Sequence, residues 1–348
     1  MNLRAHLLEG QAIPAQPLAL DANRKFSERH QRAITRYYLA AGVGGLAVGV
    51  HSTQFEIREP RHGLFRPVLE LASSVIDESL RKNPRPFIKI AGICGKTAQA
   101  LTETESALSY GYHAGLLSLA AWKDEDEARV LEHCRLVGKQ IPIIGFYLQP
   151  SVGGRLFSCD FWREFVQIPE VLAIKIAPFN RYQTLDVIRA TIDAGRDDVA
   201  LYTGNDDNIV IDLLTSHTFQ AGGQPVTRQI AGGLLGHWGV WTQKAVKLLE
   251  EIKQARQKPS LEASWLTRAG MVTDMNAALF DSAHGFAGCI PGILEVLRRQ
   301  GLTPSNLCLD PHETLSPGQA EELTRVCRAY PELVDDAFVE KHRDEWLA

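Results

Sequence analysis

A lysine inside an apolar segment is the strongest chemical signal in this sequence. Lys175 lies in VLAIKIAP (171–178), where a charged side chain is costly to bury. Burial disfavours the charged form and so favours the neutral amine, which is the nucleophile that Schiff-base chemistry requires. A lysine that reaches solvent or pairs with an acid is the structural alternative. Lys89 also interrupts an apolar segment, but it lies nearer the beginning of that segment.

Tyr147 is the second chemical candidate, near the end of IPIIGFYLQP (141–150). This segment is the predicted strand before that of Lys175, and neighbouring strands lie about 4.8 Å apart, so side chains at their ends can converge. A phenol beside an amine can move protons during imine formation and carbon–carbon bond cleavage. An aromatic ring that only caps the core is the alternative for Tyr147 alone. We predict that Tyr147 and Lys175 form a catalytic pair.

Short apolar segments alternate with amphipathic segments and predict the fold that must position these residues. Eight apolar segments are typical of buried strands, and most are followed by helical periodicity. Eight strand–helix units in roughly 260 residues indicate an α/β protein with a (β/α)8 TIM barrel. A doubly wound open sheet is the alternative, but no Gly-x-Gly-x-x-Gly turn follows the first strand. The predicted strands cover 13–20, 45–50, 86–93, 114–122, 141–150, 171–178, 198–204 and 232–236.

The sequence changes character from residue 258 onward, where helical segments alternate with loops and no strand-like segment appears. We predict a barrel domain over 1–257 and a C-terminal helical extension over 258–348 that packs on the barrel. The helix after the seventh strand is predicted within NIVIDLLTSH (208–217).

Composition and charge exclude several classes of protein. The net charge is −4, and the basic residues do not form a stripe along the sequence, so we expect no nucleic-acid partner. The sequence lacks an apolar run of about 18 residues, so we expect no membrane span, and its first residues do not resemble a signal peptide. Six cysteines without zinc-site or Cys-x-x-Cys spacing predict reduced thiols, a cytoplasmic location and no structural metal.

The ends of the predicted strands supply further candidates, because a TIM barrel keeps its catalytic groups there and in the following loops. The second strand ends at His51, Ser52 and Thr53, the fourth at Trp122 and the eighth near His237. After the seventh strand, the loop of residues 205–207 is acidic and could bind a hard cation. Imine chemistry needs no metal, since the iminium is itself the electron sink, so we predict neither a metal nor a cofactor.

Several motifs together resemble the dihydrodipicolinate synthase / N-acetylneuraminate lyase superfamily of class I aldolases. YLQP (147–150) followed by GGRL (153–156) resembles the family's Tyr-Asn-x-Pro…Thr-Gly segment. LAIKIA (172–177) resembles the strand of its Schiff-base lysine, and Lys175 follows Tyr147 at the family's usual distance of 28 residues. The resemblance runs along the chain to about residue 330 and identifies it as a divergent member of the superfamily.

The resemblance implies an imine between Lys175 and a 2-oxo acid such as pyruvate, with Tyr147 relaying protons. GLAVGVHSTQFEI (45–57) resembles the family's Gly-Thr-Thr-Gly-Glu segment. The turn with His51, Ser52 and Thr53 is therefore expected to hold the carboxylate of the 2-oxo acid through backbone N–H groups and a hydroxyl. A homo-oligomer, tetramer or dimer, is also implied.

The sequence departs from the family pattern at positions that bear on the substrate. Gln54 stands where the family has Glu, and the family's strand-four tyrosine falls at Ala121 or Trp122. Val152 stands where the dihydrodipicolinate branch has an arginine, which removes a carboxylate clamp. We therefore expect that the chain is not a genuine dihydrodipicolinate synthase. Trp122, Val152 and His237 are expected to contact the acceptor aldehyde or the tail of a sugar acid.

These observations predict a Schiff-base-forming lyase, an aldolase or a dehydratase, that acts on a pyruvate-like 2-oxo acid or a 2-oxo-3-deoxy sugar acid. The alternative is a catalytically weakened paralogue that binds a 2-oxo acid as a sensor, and the missing strand-four tyrosine motivates it. The sequence does not distinguish cleavage of a carbon–carbon bond from loss of water, because both proceed from the same imine.

Overall fold

The computed structural model describes residues 1–348 and contains ten β-strands. These are β1 (Ala12–Pro14), β2 (Gly45–Val48), β3 (Ile88–Ile93), β4 (Ala114–Leu117), β5 (Ile143–Leu148), β6 (Val171–Ala177), β7 (Ala200–Thr203), β8 (Ser216–Ala221), β9 (Gln224–Gln229) and β10 (Gly232–Leu235). Eight of them form one sheet in the order β1, β10, β7, β6, β5, β4, β3, β2.

Thirteen α-helices accompany the strands. They are α1 (Leu3–Leu8), α2 (Glu28–Ala41), α3 (Phe65–Lys82), α4 (Thr97–Ser109), α5 (Glu127–Gly138), α6 (Cys159–Val166), α7 (Arg181–Asp193), α8 (Ile209–Leu214), α9 (Thr242–Ala255), α10 (Ser264–Phe280), α11 (Cys289–Arg299), α12 (Gln319–Ala329) and α13 (Asp336–Leu347). Parallel strands that alternate with helices in this order form a (β/α)8 TIM barrel, which confirms the predicted fold. None of these helices is both long and apolar enough to serve as a membrane span.

The chain divides into two compact units. One consists of Met1–Gln11 and Ile88–Leu234, and the other of Ala12–Phe87 and Leu235–Ala348. The first unit contains Lys175 and Tyr147, and the second contains His51 and His237. This division differs from the boundary after residue 257 that the sequence predicts, and that boundary stays a prediction.

Apart from Lys175 and the Tyr147 hydroxyl, strands β5 and β6 are apolar, because both of their faces are covered. All seven residues of β6 are buried, as are the first five of β5. The two strands pair in parallel with Phe146 opposite Lys175 and Tyr147 opposite Ile176, and a register shift lies at Ile143 and Ile144. This register decides which side chains share a face with Lys175.

A β-hairpin replaces the end of the helix predicted at 208–217. Helix α8 ends at Leu214, and β8 and β9 pair antiparallel with alternating half-buried and exposed residues. Gly222 and Gly223 connect them with φ of 57° and 78°. A two-residue hairpin turn of this kind requires positive φ at both positions, which glycine adopts without strain.

Candidate active site

Lys175 lies on the face of β6 that points away from α6. On the other face, Ile174 pairs with Gly145, and a Cβ added at position 145 would meet the Phe165 ring of α6 at 2.6 Å. Because successive side chains of a strand alternate between faces, Lys175 lies on the opposite, inner face. Only 7% of Lys175 is exposed, so its amine is positioned in a largely dry environment.

The ring of Phe146 is a close neighbour of this amine. Lys175 Nζ lies 4.4 Å from the centroid of the Phe146 ring, and Phe146 occupies the register position opposite Lys175. The face of an aromatic ring attracts an ammonium group electrostatically. This attraction helps to hold the Lys175 amine beside the Phe146 ring.

Gly204, directly after β7, makes room for the lysine side chain. A Cβ at this position would lie 2.7 Å from Lys175 Cε and 2.8 Å from Ala177 Cβ. The Gly204 N–H donates to the Ile176 carbonyl at 2.7 Å, so the backbone is held close to β6. The path of the Lys175 side chain thus depends on the absence of a side chain at residue 204.

Tyr147 lies on the outer face of β5, one residue beyond Phe146. Its ring centroid is 4.9 Å from that of Trp162 in α6, and its hydroxyl accepts a long hydrogen bond of 3.5 Å from the Phe157 N–H. Burial raises the pKa of Tyr147 above its ordinary value, so the phenol is protonated at neutral pH. The register places Phe146, and not Tyr147, opposite Lys175, and strand alternation argues against a direct approach of the two side chains. The catalytic role of Tyr147 stays a prediction.

The turn after β2 contains the three residues predicted to bind a carboxylate. Thr53 closes this turn: its hydroxyl accepts from the N–H groups of Gly49 and Val50 at 3.0 and 3.1 Å and donates to the Gln16 carbonyl at 2.6 Å. A hydroxyl has one donor and two acceptor positions, and all three are used here. This hydroxyl therefore shapes the turn, and the predicted substrate-binding role of Thr53 stays a prediction.

The two other residues of the turn are Ser52 and His51. The Ser52 hydroxyl is buried and lies 3.4 Å from the Gln16 carbonyl, which is a weak hydrogen bond. The His51 ring packs beside Phe55, with 5.8 Å between ring centroids. Their substrate-binding role stays a prediction.

Trp122 packs against α5. Its ring stacks on His133 at 4.6 Å between centroids, its indole N–H donates to the Gly95 carbonyl at 3.2 Å, and Lys96 Nζ lies 4.1 Å from its ring. These contacts hold the ring in place from three sides. Val152 ends a short 3-10 helix, Pro150–Val152, and is partly exposed. The predicted substrate contacts of both residues stay predictions.

His237 is buried at the end of β10, in the 3-10 helix His237–Gly239. Its Nδ1 lies 3.3 Å from Asn276 Nδ2, and its ring meets the edge of Trp241 at 5.6 Å between centroids. Burial lowers the pKa of His237 to about 4, so the imidazole is neutral at pH 7. Trp238 beside it is only 1% exposed.

The acidic loop after β7 is organised by a buried carboxylate that the sequence analysis missed. Asp212 accepts hydrogen bonds from the Thr203 hydroxyl at 2.7 Å and from the amide of Asn205 at 2.9 Å, and it pairs with Arg181. Asn205 also accepts from the Phe179 N–H at 2.9 Å. Because these hydrogen bonds use both ends of its amide, Asn205 stabilises the conformation of the loop.

Phe146 and Gly204 are the other residues near Lys175 that the sequence analysis did not identify. Neither carries a reactive group, so no search for chemical side chains finds them. The signal in the sequence is positional: Phe146 immediately precedes Tyr147, and Gly204 ends the seventh predicted strand.

No model of a known protein family matches this sequence, and no curated protein matches it in sequence either. Solved structures do match. The dihydrodipicolinate synthase from Oceanobacillus iheyensis superposes with a TM-score of 0.75 at 15% identity, over 95% of this chain and 100% of that chain. The N-acetylneuraminate lyase from Fusobacterium nucleatum gives a TM-score of 0.71 at 15% identity, over 94% and 100%.

A third similar structure is a prophage protein, YagE from E. coli K12, described as a member of the dihydrodipicolinic acid synthase family in complex with pyruvate. It gives a TM-score of 0.72 at 14% identity, over 93% of this chain and 98% of that chain. At such identities the likeness establishes a shared fold. The fold is that of the superfamily which the sequence motifs resemble, and this part of the resemblance is confirmed.

Proposed function

We propose that the protein is a class I lyase in which Lys175 forms an imine with a 2-oxo acid. One observation carries the proposal: an amine is buried on the inner face of a barrel strand, in a space that Gly204 leaves open for it. The similar structures support a lyase of this general class.

The chemistry proposed for Lys175 follows from its neutral form. The amine attacks the carbonyl carbon of the 2-oxo acid, and loss of water from the resulting carbinolamine gives an iminium ion. The iminium accepts the electron pair released when a neighbouring carbon–carbon bond breaks or a proton leaves C3. Cleavage of the C3–C4 bond, with loss of the C4 hydroxyl proton, releases an aldehyde and leaves an enamine, which is protonated at C3 and hydrolysed to the 2-oxo acid and the free amine. Loss of a proton from C3 instead leaves an enamine that expels a hydroxyl group as water, and hydrolysis of the resulting unsaturated imine returns the amine.

Proton transfer is the step that the site supports least. Phe146, which carries no hydroxyl, faces the amine where the sequence analysis expected the phenol of Tyr147. Proton transfer that does not use a positioned phenol is slower than transfer that does. This observation favours a second candidate function: a paralogue that binds a 2-oxo acid as a sensor and turns it over slowly.

The remaining parts of the proposal rest on the resemblance. His51 and Ser52 are proposed to bind the carboxylate of the 2-oxo acid, and Trp122, Val152 and His237 the remainder of the substrate. A 2-oxo-3-deoxy sugar acid and a homo-oligomer are proposed on the same basis. A cytoplasmic location is proposed from the cysteine pattern, and independence from cofactors from the imine chemistry.

Borohydride trapping with pyruvate tests the imine. Reduction converts an imine into a stable secondary amine, and peptide mass spectrometry then identifies the modified lysine. We expect the adduct on Lys175 in the wild type and none in Lys175→Met. Lys89→Met is the matched control, because Lys89 is also buried in a strand but its Nζ lies by Gly111, before β4. An adduct on another lysine, or none with bulkier 2-oxo acids either, contradicts the proposal.

Turnover separates the two candidate functions. Steady-state assays on a panel of 2-oxo-3-deoxy sugar acids should give catalytic turnover if the protein is a lyase. Trapping at Lys175 without turnover on any member of the panel supports the sensor.

A further inference from the structure

A cavity of about 280 Å³ lies among the C-terminal helices, where α11, α12 and α13 meet the residue that precedes α9. Its lining includes Trp241, Gln300, Arg343, Glu340 and Asp336. All of these residues belong to the second compact unit. The proposed imine chemistry uses none of them.

Two buried polar atoms of this lining have no hydrogen-bond partner in the protein. They are the indole Nε1 of Trp241 and the side-chain oxygen of Gln300. Trp241 is 2% exposed and Gln300 is 7% exposed, so bulk water does not compensate for the missing bonds. Buried polar groups in proteins are almost always hydrogen-bonded, and each exception calls for an explanation. One atom is a donor and the other an acceptor, so one molecule that carries both functions can satisfy both.

The backbone at Trp241 is held in an unusual conformation. Its φ of 49° lies in the left-handed region that side chains other than glycine rarely adopt. Its carbonyl accepts from the N–H groups of Lys244 and Ala245, both at 3.0 Å, at the start of α9. These hydrogen bonds fix the position of the indole. An acceptor for its N–H group must therefore be a molecule that enters the cavity.

The charges at the cavity indicate which kind of molecule fits. Arg343 pairs with Asp344 at 3.3 Å, and Asp344 is 90% exposed, so this ion pair is weak and leaves the guanidinium able to bind a carboxylate. Glu340 lies one turn earlier on α13, and Asp336 one turn before that. Asp336 accepts from the Gln300 amide at 2.8 Å, and Arg299, which also lines the cavity, is paired with Glu295. An ammonium group would add a positive charge beside Glu340 and Asp336, which a hydroxyl would not.

We infer that this cavity is a binding site for a free α-amino acid. The amino acid's carboxylate accepts from the Trp241 indole N–H and pairs with Arg343. Its ammonium group donates to the Gln300 side-chain oxygen and lies near Glu340 and Asp336. Both unpaired atoms then have a hydrogen-bond partner. The ligand's carboxylate lies beside the positive charge of the lining, and its ammonium group lies beside the negative charges.

The site also has a physical connection to the end of β10. The ring of Trp241 contacts that of His237, which follows β10 directly. Occupancy of the cavity is therefore expected to change the surroundings of His237, whichever reaction the protein performs.

NMR of the indole N–H groups tests the site directly. The chain has six tryptophans, and the variant Trp241→Phe assigns the Trp241 resonance by its loss. The protein is titrated with each of the common amino acids, and calorimetry then gives the affinity of those that shift this resonance. We expect at least one amino acid to shift the Trp241 resonance more than the other five.

Variants and analogues test the chemistry of recognition. Arg343→Met and Glu340→Gln, both on the surface of α13, should each weaken binding at least tenfold, while Arg328→Met on exposed α12 surface should leave it unchanged. The hydroxy acid with the same side chain should bind at least tenfold more weakly than the amino acid. The inference is overturned if no amino acid at millimolar concentration shifts the resonance. It is also overturned if Arg343→Met binds normally or the hydroxy acid binds equally well.

Discussion

The substitution Gly204→Ala tests the geometry around Lys175. Gly204 does not use a positive φ, so the backbone accepts alanine and the added methyl group is the essential change. This methyl would lie 2.7 Å from Lys175 Cε and 2.8 Å from Ala177 Cβ. Nonbonded carbon atoms in contact are usually roughly 3.5 to 4.0 Å apart, so the lysine side chain must move by about 1 Å.

Two measurable effects follow from this displacement. Overpacking of a buried position lowers the free energy of unfolding by about 1–3 kcal/mol. A misplacement of about 1 Å in a reacting group can slow a reaction about 100-fold. We therefore expect the rate of borohydride trapping with pyruvate to fall about 100-fold, and urea denaturation to show the loss of stability.

Gly270→Ala is the matched control for this prediction. Gly270 lies in α10, has no heavy atom within 4 Å of an added Cβ and is exposed. Alanine there should raise the free energy of unfolding by about 0.5–1 kcal/mol and leave trapping unchanged. If Gly204→Ala is trapped at the wild-type rate, the lysine does not depend on this space and the reasoning is refuted.

Three further substitutions test the electrostatics and the register. Tyr147→Phe removes only a 3.5 Å hydrogen bond, so we expect a loss of at most about 1 kcal/mol in urea denaturation and an unchanged trapping rate; a tenfold slower rate would contradict the register. Phe146→Tyr introduces a phenol beside Lys175 and should speed deuterium exchange of the pyruvate methyl group at least tenfold, measured by proton NMR. Burial lowers the pKa of His237 from 6.5 to about 4, so the unfolded chain binds a proton more readily. Its contribution of about 3 kcal/mol, present above pH 6.5, is lost as the pH falls to 4. His237→Gln should flatten this part of the stability profile, and His312→Gln, on the surface, should not.

The barrel could be predicted from the sequence because buried parallel strands leave a strong signal. Continuous apolar segments such as VLAIKIAP, most of them followed by helical periodicity, predicted all eight strands of the sheet. The β8–β9 hairpin was not predicted, because its residues are exposed or half-buried and its sequence contains no apolar run. The Gly222-Gly223 pair was the available signal, since it is typical of a tight hairpin turn.

The candidate site could be predicted only in part. The position of Lys175 inside an apolar strand was enough to single it out. The face of Tyr147 was not predictable, because a change of one residue in register exchanges the two faces of a strand. In GFYL the sequence alone does not say whether Phe146 or Tyr147 faces inward; the pairing of β5 with β6, with its shift at Ile143 and Ile144, decides this.

A crystal structure of the wild-type protein soaked with pyruvate tests the central claim most directly. The account predicts continuous electron density from Lys175 Nζ to C2 of pyruvate, with the Phe146 ring beside the new bond and the Tyr147 hydroxyl on the far face of β5. Pyruvate that is bound without a covalent link to Lys175, or an imine on a different lysine, would contradict it.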